Sequence, residues 1–294
     1  MATPVHGVEH YENFPVASWL MPARLRPAVV AIYRFARHAD DLADEGEARP
    51  EDRLQALGAL REDIARARGG GHPDSPLVAG LVPHVHAHGL DWSRFEALLS
   101  AFEQDVTVSS YSDRDTLCDY CRRSADPIGH LVLGLAGQLD ASNRALSDRI
   151  CTALQLINFL QDAAVDARRG RLYLPLDALA HHGLGPVDVV QAATAGRAGP
   201  ALRACIAQEA RQAAALLAAG APLTARVGGR LAWELRAIVA GGARILTRLA
   251  AHGHDPFAAR PVLGAADALP LVLAVLRRAI ADATSDPASS DALR

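Results

Sequence analysis

The chain has 294 residues, with 33 Asp and Glu against 30 Lys and Arg, a formal net charge of -3, half its residues hydrophobic and 5% aromatic. That length buries a sizeable core. The slightly acidic balance excludes a general nucleic-acid binder with a large basic surface, so no nucleic-acid partner is expected. The longest apolar runs are broken by Arg, His, Gly or Pro well short of the roughly 18 residues of a membrane span. The start, MATPVHGVEHYENFPV, lacks the basic-then-apolar layout of a secretion signal, which leaves the cytoplasm as the expected compartment.

Ala, Leu, Arg and Glu dominate, and apolar residues recur at three- and four-residue spacing, so the expected fold is all-α. Pro22 and Pro27 bracket the entry to a helix over 28–44, and Gly69, Gly70, Gly71 and Pro73 mark a loop. His84, His86 and His88 sit between Pro83 and Gly89, which suggests a loop or helix end; alternate spacing turns them about 200° apart per step and disfavours a zinc site. Ser93 and Glu96 have capping-box spacing. The cysteines, Cys118, Cys121, Cys151 and Cys205, read as small buried helix residues, because a zinc site would need two more soft ligands near the first pair. Ser147 or Asp148 would cap a helix running to about Val165. Loops follow over 168–175 and 183–186, then an Ala-rich helix after Pro200 and further helices over 233–251 and 269–283. One domain over 1–283 is expected, with a disordered tail over 284–294.

Two acidic clusters lie far apart in the chain: Asp40, Asp41 and Asp44, then Asp162 and Asp166. At about 100° per residue, Asp40 and Asp44 share one helix face, and Asn158, Asp162 and Asp166 share another. Like charges four apart cost an isolated helix a few tenths of a kcal/mol. Each pair also falls near a helix C-terminus, where the dipole disfavours anions. A shared cation removes both difficulties. Carboxylates with an Asn carbonyl are hard oxygen donors suited to Mg²⁺, which divides its shell between protein and substrate phosphates. Tyr33 and Arg37 fall on the face of Asp40 and Asp44, where the guanidinium fork can take phosphate oxygens. Asp41 points about 80° from Asp40, at the border of the site. A solvated acidic face would explain one cluster; two clusters with matching neighbours favour a diphosphate held between helices.

These residues carry a resemblance. His10 to Phe14 (HYENF), residues 31–44 (AIYRFARHADDLAD), Tyr120-Cys121 and residues 158–166 (NFLQDAAVD) resemble, in order and separation, the squalene/phytoene synthase family. The match runs from His10 to about Arg260. Within the family it is similar to the branch that makes hydroxysqualene in bacterial hopanoid synthesis. The resemblance implies an isoprenoid (terpenoid) synthase helical fold with a deep central cavity. It implies Mg²⁺ at Asp40, Asp44, Asn158, Asp162 and Asp166. Diphosphate contacts are implied at His10, Tyr33, Arg37, Arg171 and Tyr173, with Asp41 and Gln161 also on the substrate side and Tyr120 facing the cavity as a catalytic residue beside the four aspartates.

The departures refine this. Gln161 stands where family members that condense two prenyl diphosphates usually carry Arg, Tyr11 and Asn13 replace small hydroxyl residues, and Ser124-Ala125-Asp126-Pro127 replaces Val-Ala-Gly. Fewer cations and hydroxyls suggest one diphosphate, hence presqualene diphosphate as substrate, ionised and captured by water to give hydroxysqualene. Asp126 either positions that water or is a helix-kink residue before Pro127. Ile128, Leu131, Val132, Leu154 and Ile157 would line a dry pocket for the carbocation, or are ordinary core. Gly69-Gly70-Gly71 lacks the strand–turn–helix setting of a dinucleotide site. The alternatives are head-to-head condensation of two farnesyl diphosphates and, in another class, a non-catalytic helical scaffold for hopanoid enzymes. Lipid substrate and product are compatible with loose contact with the inner membrane surface and with other squalene-pathway enzymes, although no basic amphipathic anchor is evident.

Overall fold

The computed structural model describes residues 21–284; His10 and the tail from 285 onward lie outside them. Among the described residues the helices are α1 Arg26–Asp44, α2 Pro50–Arg68, α3 Pro76–His88, α4 Ser93–Asp105, α5 Arg114–Ser124, α6 Asp126–Leu135, α7 Ala141–Arg168, α8 Leu176–His181, α9 Pro186–Ala195, α10 Pro200–Gly220, α11 Leu223–Arg226, α12 Gly229–Ala251 and α13 Ala268–Thr284. The extended pairing is one isolated bridge, Ser110 with Leu172, so the segment at 171–174 is a loop.

Proline opens many of these helices. α1, α2, α3, α6, α9 and α10 carry it in their first two positions, where its fixed φ suits the helix and no hydrogen bond is lost. α5 starts at a capping box between Asp113 and Thr116. Two caps differ from expectation, although α4 starts where Asp91-Trp92-Ser93 predicts. α7 begins at Asp140, whose carboxylate accepts from the Asn143 N–H at 2.7 Å, so Ser147 and Asp148 are interior. α4 is opened by Asp91, which accepts from both the backbone and the hydroxyl of Ser93. The histidine segment is a helix end, one of the two expected settings: α3 continues through Pro83 and stops at His88 before Gly89. An interior proline costs about 3 kcal/mol. Fully burying Leu81 and nearly burying Val85 returns roughly 1.5–3 kcal/mol each. Pro83 itself is exposed, so its ring meets solvent.

The core divides into three apolar clusters. The first joins α1, α2, α3, α4 and α6 around Phe35, Leu57, Leu81 and Phe95. The second joins α5, α7, α10 and α12 around Leu117, Ile157 and Leu231. The third sets the end of α7 against α8, α9 and α10. α7 has 28 residues, about 42 Å at 1.5 Å per residue, and it contributes to the second and third clusters along its length. The cysteines are unbridged, with burial pushing the thiols of Cys151 and Cys205 up to about 12, so they pack as small apolar groups. No described helix is long and apolar enough to cross a membrane.

α10 lies close on α7 because its last residue is Gly220: a Cβ there would stand 2.7 Å from Ile150 Cγ1 and 2.8 Å from the Leu146 carbonyl oxygen. Backbone cannot yield as a flexible side chain does. Gly220→Val is therefore expected to lower the free energy of unfolding by about 1–3 kcal/mol in urea titration.

Candidate active site

α1 buries Ile32, Phe35, Ala39 and Ala43, which turns Tyr33, Arg37, Asp40 and Asp44 to the other side. The end of α7 buries Leu160, Ala163, Ala164 and Ala167 and leaves Asn158, Asp162 and Asp166 half-buried. Both helices stop just past their last acids. The dipole leaves uncompensated carbonyls there, so cations must be supplied.

Arginine supplies them. Arg37 pairs with Asp40 at 3.2 Å, Asp41 at 2.7 Å and Glu45 at 2.8 Å. Arg171, in the loop after α7, reaches Asp44 of α1 at 2.5 Å and donates to the Asp105 backbone carbonyl of α4 at 3.2 Å. Arg169 approaches Asp44 at 3.5 Å. Arg260 holds Asp162 in a two-pronged pair. The end of α1, the end of α4 and the loop after α7 border a cleft of about 470 Å³, lined by Asp44, Glu45, Arg53, Asp105, Arg169 and Arg171; Asp162 and Asp166 of α7 do not line it.

The carboxylates feel this crowding. Burial, with Asp44 and Asp41 adding repulsion against the pull of Arg37, raises Asp40 to about 6. Burial, then Asp162 and Asp44, raises Asp166 to about 7 despite Arg171 and Arg169. The mutual effect of Asp44 and Asp166, carried on different helices, places the two clusters in one electrostatic field.

Asp105 is a site residue that the sequence reading left unassigned. It closes α4, is 8% exposed, and is raised by burial to about 7. Its Oδ2 accepts from the Tyr120 hydroxyl at 2.7 Å, while its buried Oδ1 has no partner. The signal that could have found it is the one that marked Asp44: an acid at the end of a helix otherwise built on apolar residues. Tyr120 is buried among Tyr111, Phe159 and Tyr173, the last two stacked at 3.8 Å. Burial and the nearby Asp105 push Tyr120 and Tyr173 up, so both phenols stay protonated.

Other expected residues fall as follows. Tyr33 is half-buried and contributes to the field on Arg37. Gln161 is 1% exposed and its Nε2 donates to the Pro261 carbonyl at 2.5 Å, so it turns into the 261 segment instead of the cleft. The residue before Pro261, Arg260, brings a positive charge to Asp162. Asp126, 4% exposed, accepts from Thr152 at 3.0 Å and is raised to about 7 by burial and by Asp148; it faces α7. Leu131 and Ile157 are core residues of separate clusters, while Ile128, Val132 and Leu154 are half-buried against them.

Hard oxygen donors from two helices, raised carboxylates and the orphaned Asp105 oxygen suit a divalent cation. Yet among the described residues no three of His, Cys, Asp or Glu converge closely enough to hold one. Asp40, Asp44 and Asp162 are paired with arginine, and a cation there would have to displace part of that pairing.

The squalene/phytoene synthase family model matches residues 8–267. A hydroxysqualene synthase of Zymomonas mobilis is 42% identical over 60% of this chain and 59% of its own length, so the chain matches less than two thirds of that protein. A hydroxysqualene synthase of Rhodopseudomonas palustris is 36% identical over 85% of this chain and 82% of its own. A squalene synthase structure from Alicyclobacillus acidocaldarius superposes with a TM-score of 0.76 at 39% identity, covering 83% of this chain and 90% of that one. The chain belongs to the squalene/phytoene synthase family, all-α synthases that process prenyl diphosphates.

The raised carboxylates set a pH dependence. Asp40, Asp105, Asp126 and Asp166 keep protons in the folded metal-free protein at pH values where an unfolded chain has lost them. Their contribution to stability is present at acid pH and lost as pH rises through about 6–7. The melting temperature of metal-free protein is expected to fall between pH 5 and pH 8, and added Mg²⁺ to raise it more at pH 8 than at pH 5.

Proposed function

We propose that the protein ionises presqualene diphosphate and lets water capture the rearranged cation, giving hydroxysqualene and diphosphate. The observation that carries this reading is that Arg171, in the loop after α7, pairs with Asp44 at the end of α1 and bonds the end of α4, while Arg171 and Asp44 both act on the charge of Asp166 in α7. The named relatives direct the choice of substrate, since two hydroxysqualene synthases share 42% and 36% identity with it. Gln161 does not direct it, because Arg260 restores the cation that Gln161 lacks.

In this reading Asp40, Asp44, Asn158, Asp162 and Asp166 hold Mg²⁺, which when bound neutralises charge building on the leaving diphosphate. Arg171, at the cleft, and Arg37, beside Asp40, turn their planar forks from carboxylate to phosphate oxygens. Tyr33 and, by resemblance, His10 add donors. Asp105 fixes the Tyr120 hydroxyl through its 2.7 Å hydrogen bond, and the aromatic cluster behind it keeps water from the developing cation. The clusters joined along α7 support a single catalytic domain. The product is a hydrocarbon alcohol that water does not carry, so its onward transfer runs by a lipid surface or by contact with the next enzyme of the sequence.

Feeding presqualene diphosphate and farnesyl diphosphate separately, with Mg²⁺, tests the assignment. Hydroxysqualene is expected from the first and no 30-carbon product from the second; a 30-carbon product from farnesyl diphosphate alone would show head-to-head condensation instead. Asp162→Asn is expected to lower turnover roughly a hundredfold or more, about 2.7 kcal/mol of transition-state stabilisation, with an unchanged circular dichroism spectrum. A near-wild-type rate would remove Asp162 from the metal site.

A further inference from the structure

We propose that Asp105 is the general base of the capture step: its buried Oδ1 positions the attacking water and takes the proton that the water gives up. The role rests on the reaction proposed above and names the group that completes it. Water that adds to a carbocation becomes an oxonium and must lose a proton before an alcohol exists. The acceptor has to stand where a polar space meets the rings that shield the cation.

Asp105 stands there. It closes α4 and lines the cleft of about 470 Å³ beside Asp44 and Arg171, yet it is only 8% exposed. On the other side its Oδ2 accepts from the Tyr120 hydroxyl at 2.7 Å, and the Tyr120 ring lies against Tyr111, Phe159 and Tyr173. That hydrogen bond fixes the carboxylate plane and occupies one oxygen. The second, Oδ1, is buried with no partner. A water bound to Oδ1 supplies the missing donor and keeps a lone pair for the cation. Burial raises the carboxyl to about 7, with Asp40 and Asp44 of α1 adding repulsion against the Tyr120 hydrogen bond and the pull of Arg171. A base of that strength is matched to neutral conditions.

The other acids are less suited. Asp40, Asp44 and Asp162 are paired with arginine and belong to the metal in the proposed reaction. Asp126, one of the sequence candidates for holding this water, accepts from Thr152 at 3.0 Å, faces α7 and does not line the cleft. Glu209 also has a buried oxygen without a partner, but its other oxygen pairs with Arg114 and it too is absent from the cleft. The step balances with water alone. A lone pair of the water oxygen forms the C–O bond, the electrons of one O–H bond return to oxygen, and that proton moves to Asp105 Oδ1. Alcohol and a neutral carboxyl result, and the proton leaves through the cleft to solvent.

The test counts two products of the same reaction, diphosphate and hydroxysqualene, from presqualene diphosphate with Mg²⁺. Wild type at pH 8 is expected to give close to one alcohol per diphosphate. Asp105→Asn keeps an oxygen for the Tyr120 hydroxyl but cannot take a proton. Its alcohol share is expected to fall roughly tenfold or more, the balance appearing as 30-carbon hydrocarbon from a cation that loses a proton from carbon instead. In wild type the share is expected to fall from pH 8 to pH 5 as Asp105 takes up a proton, and in Asp105→Asn to lose that dependence. An unchanged share in Asp105→Asn, whatever its rate, overturns the proposal. So does an Asp105→Asn that folds by circular dichroism and releases no diphosphate, which would assign Asp105 to the leaving group. Should the variant not fold, wild type decides: an alcohol share that is the same at pH 8 and pH 5 overturns the base. Wild type that forms no hydroxysqualene from presqualene diphosphate fails the proposed reaction itself, an outcome distinct from alcohol formed without need of Asp105.

Discussion

Arg171 is the contact on which the site depends. It reaches Asp44 from the loop after α7 and takes the terminal carbonyl of α4, so one guanidinium ties three elements together. Without it, carboxylates from α1, α4 and α7 would face one another in a poorly hydrated space. Two such charges about 5 Å apart repel by roughly 3 kcal/mol at an effective dielectric near 20. The raised Asp40, Asp105 and Asp166 show that the cancellation is incomplete. The protein keeps a strained set of acids in place because apolar faces of Phe35, Ala39, Ala163 and Ala167 fix their helices.

That incomplete cancellation is what a diphosphate site needs. Arg37, Arg171 and Arg260 pair with Asp41, Asp44 and Asp162. On the proposed function, a diphosphate arriving with divalent cations would offer each partner a better match, phosphate oxygens for the guanidinium forks and cations for the carboxylates, and charge would be exchanged rather than newly buried. Tyr120 and Asp105 mark where this polar end gives way to rings, and where a carbocation can be shielded.

Much of this was legible in the sequence. The helix faces of α1 and α7 follow from 3.6-residue periodicity, and the two acidic pairs stand out because each breaks the same electrostatic rule at a helix end. The choice of arginine partners was not legible. Arg260 reaches Asp162 across 98 positions, and no local spacing announces such a contact. Gln161 looked like a lost charge because its neighbour in sequence faces the site, yet a one-residue step on a helix turns it by about 100°, into the 261 segment. Ser147 and Asp148 looked like caps because polar residues favour helix starts, but tertiary partners hold them inside α7: Gly129 beside Ser147 and His130 on Asp148.

Calorimetric titration of inorganic pyrophosphate into the protein, with and without Mg²⁺, probes the shared charge exchange directly. Binding that requires both components, and that is lost in Asp44→Asn and Asp166→Asn alike, is the predicted result. Pyrophosphate binding of equal strength without Mg²⁺, or binding untouched by either substitution, would contradict a site built from both acidic helices.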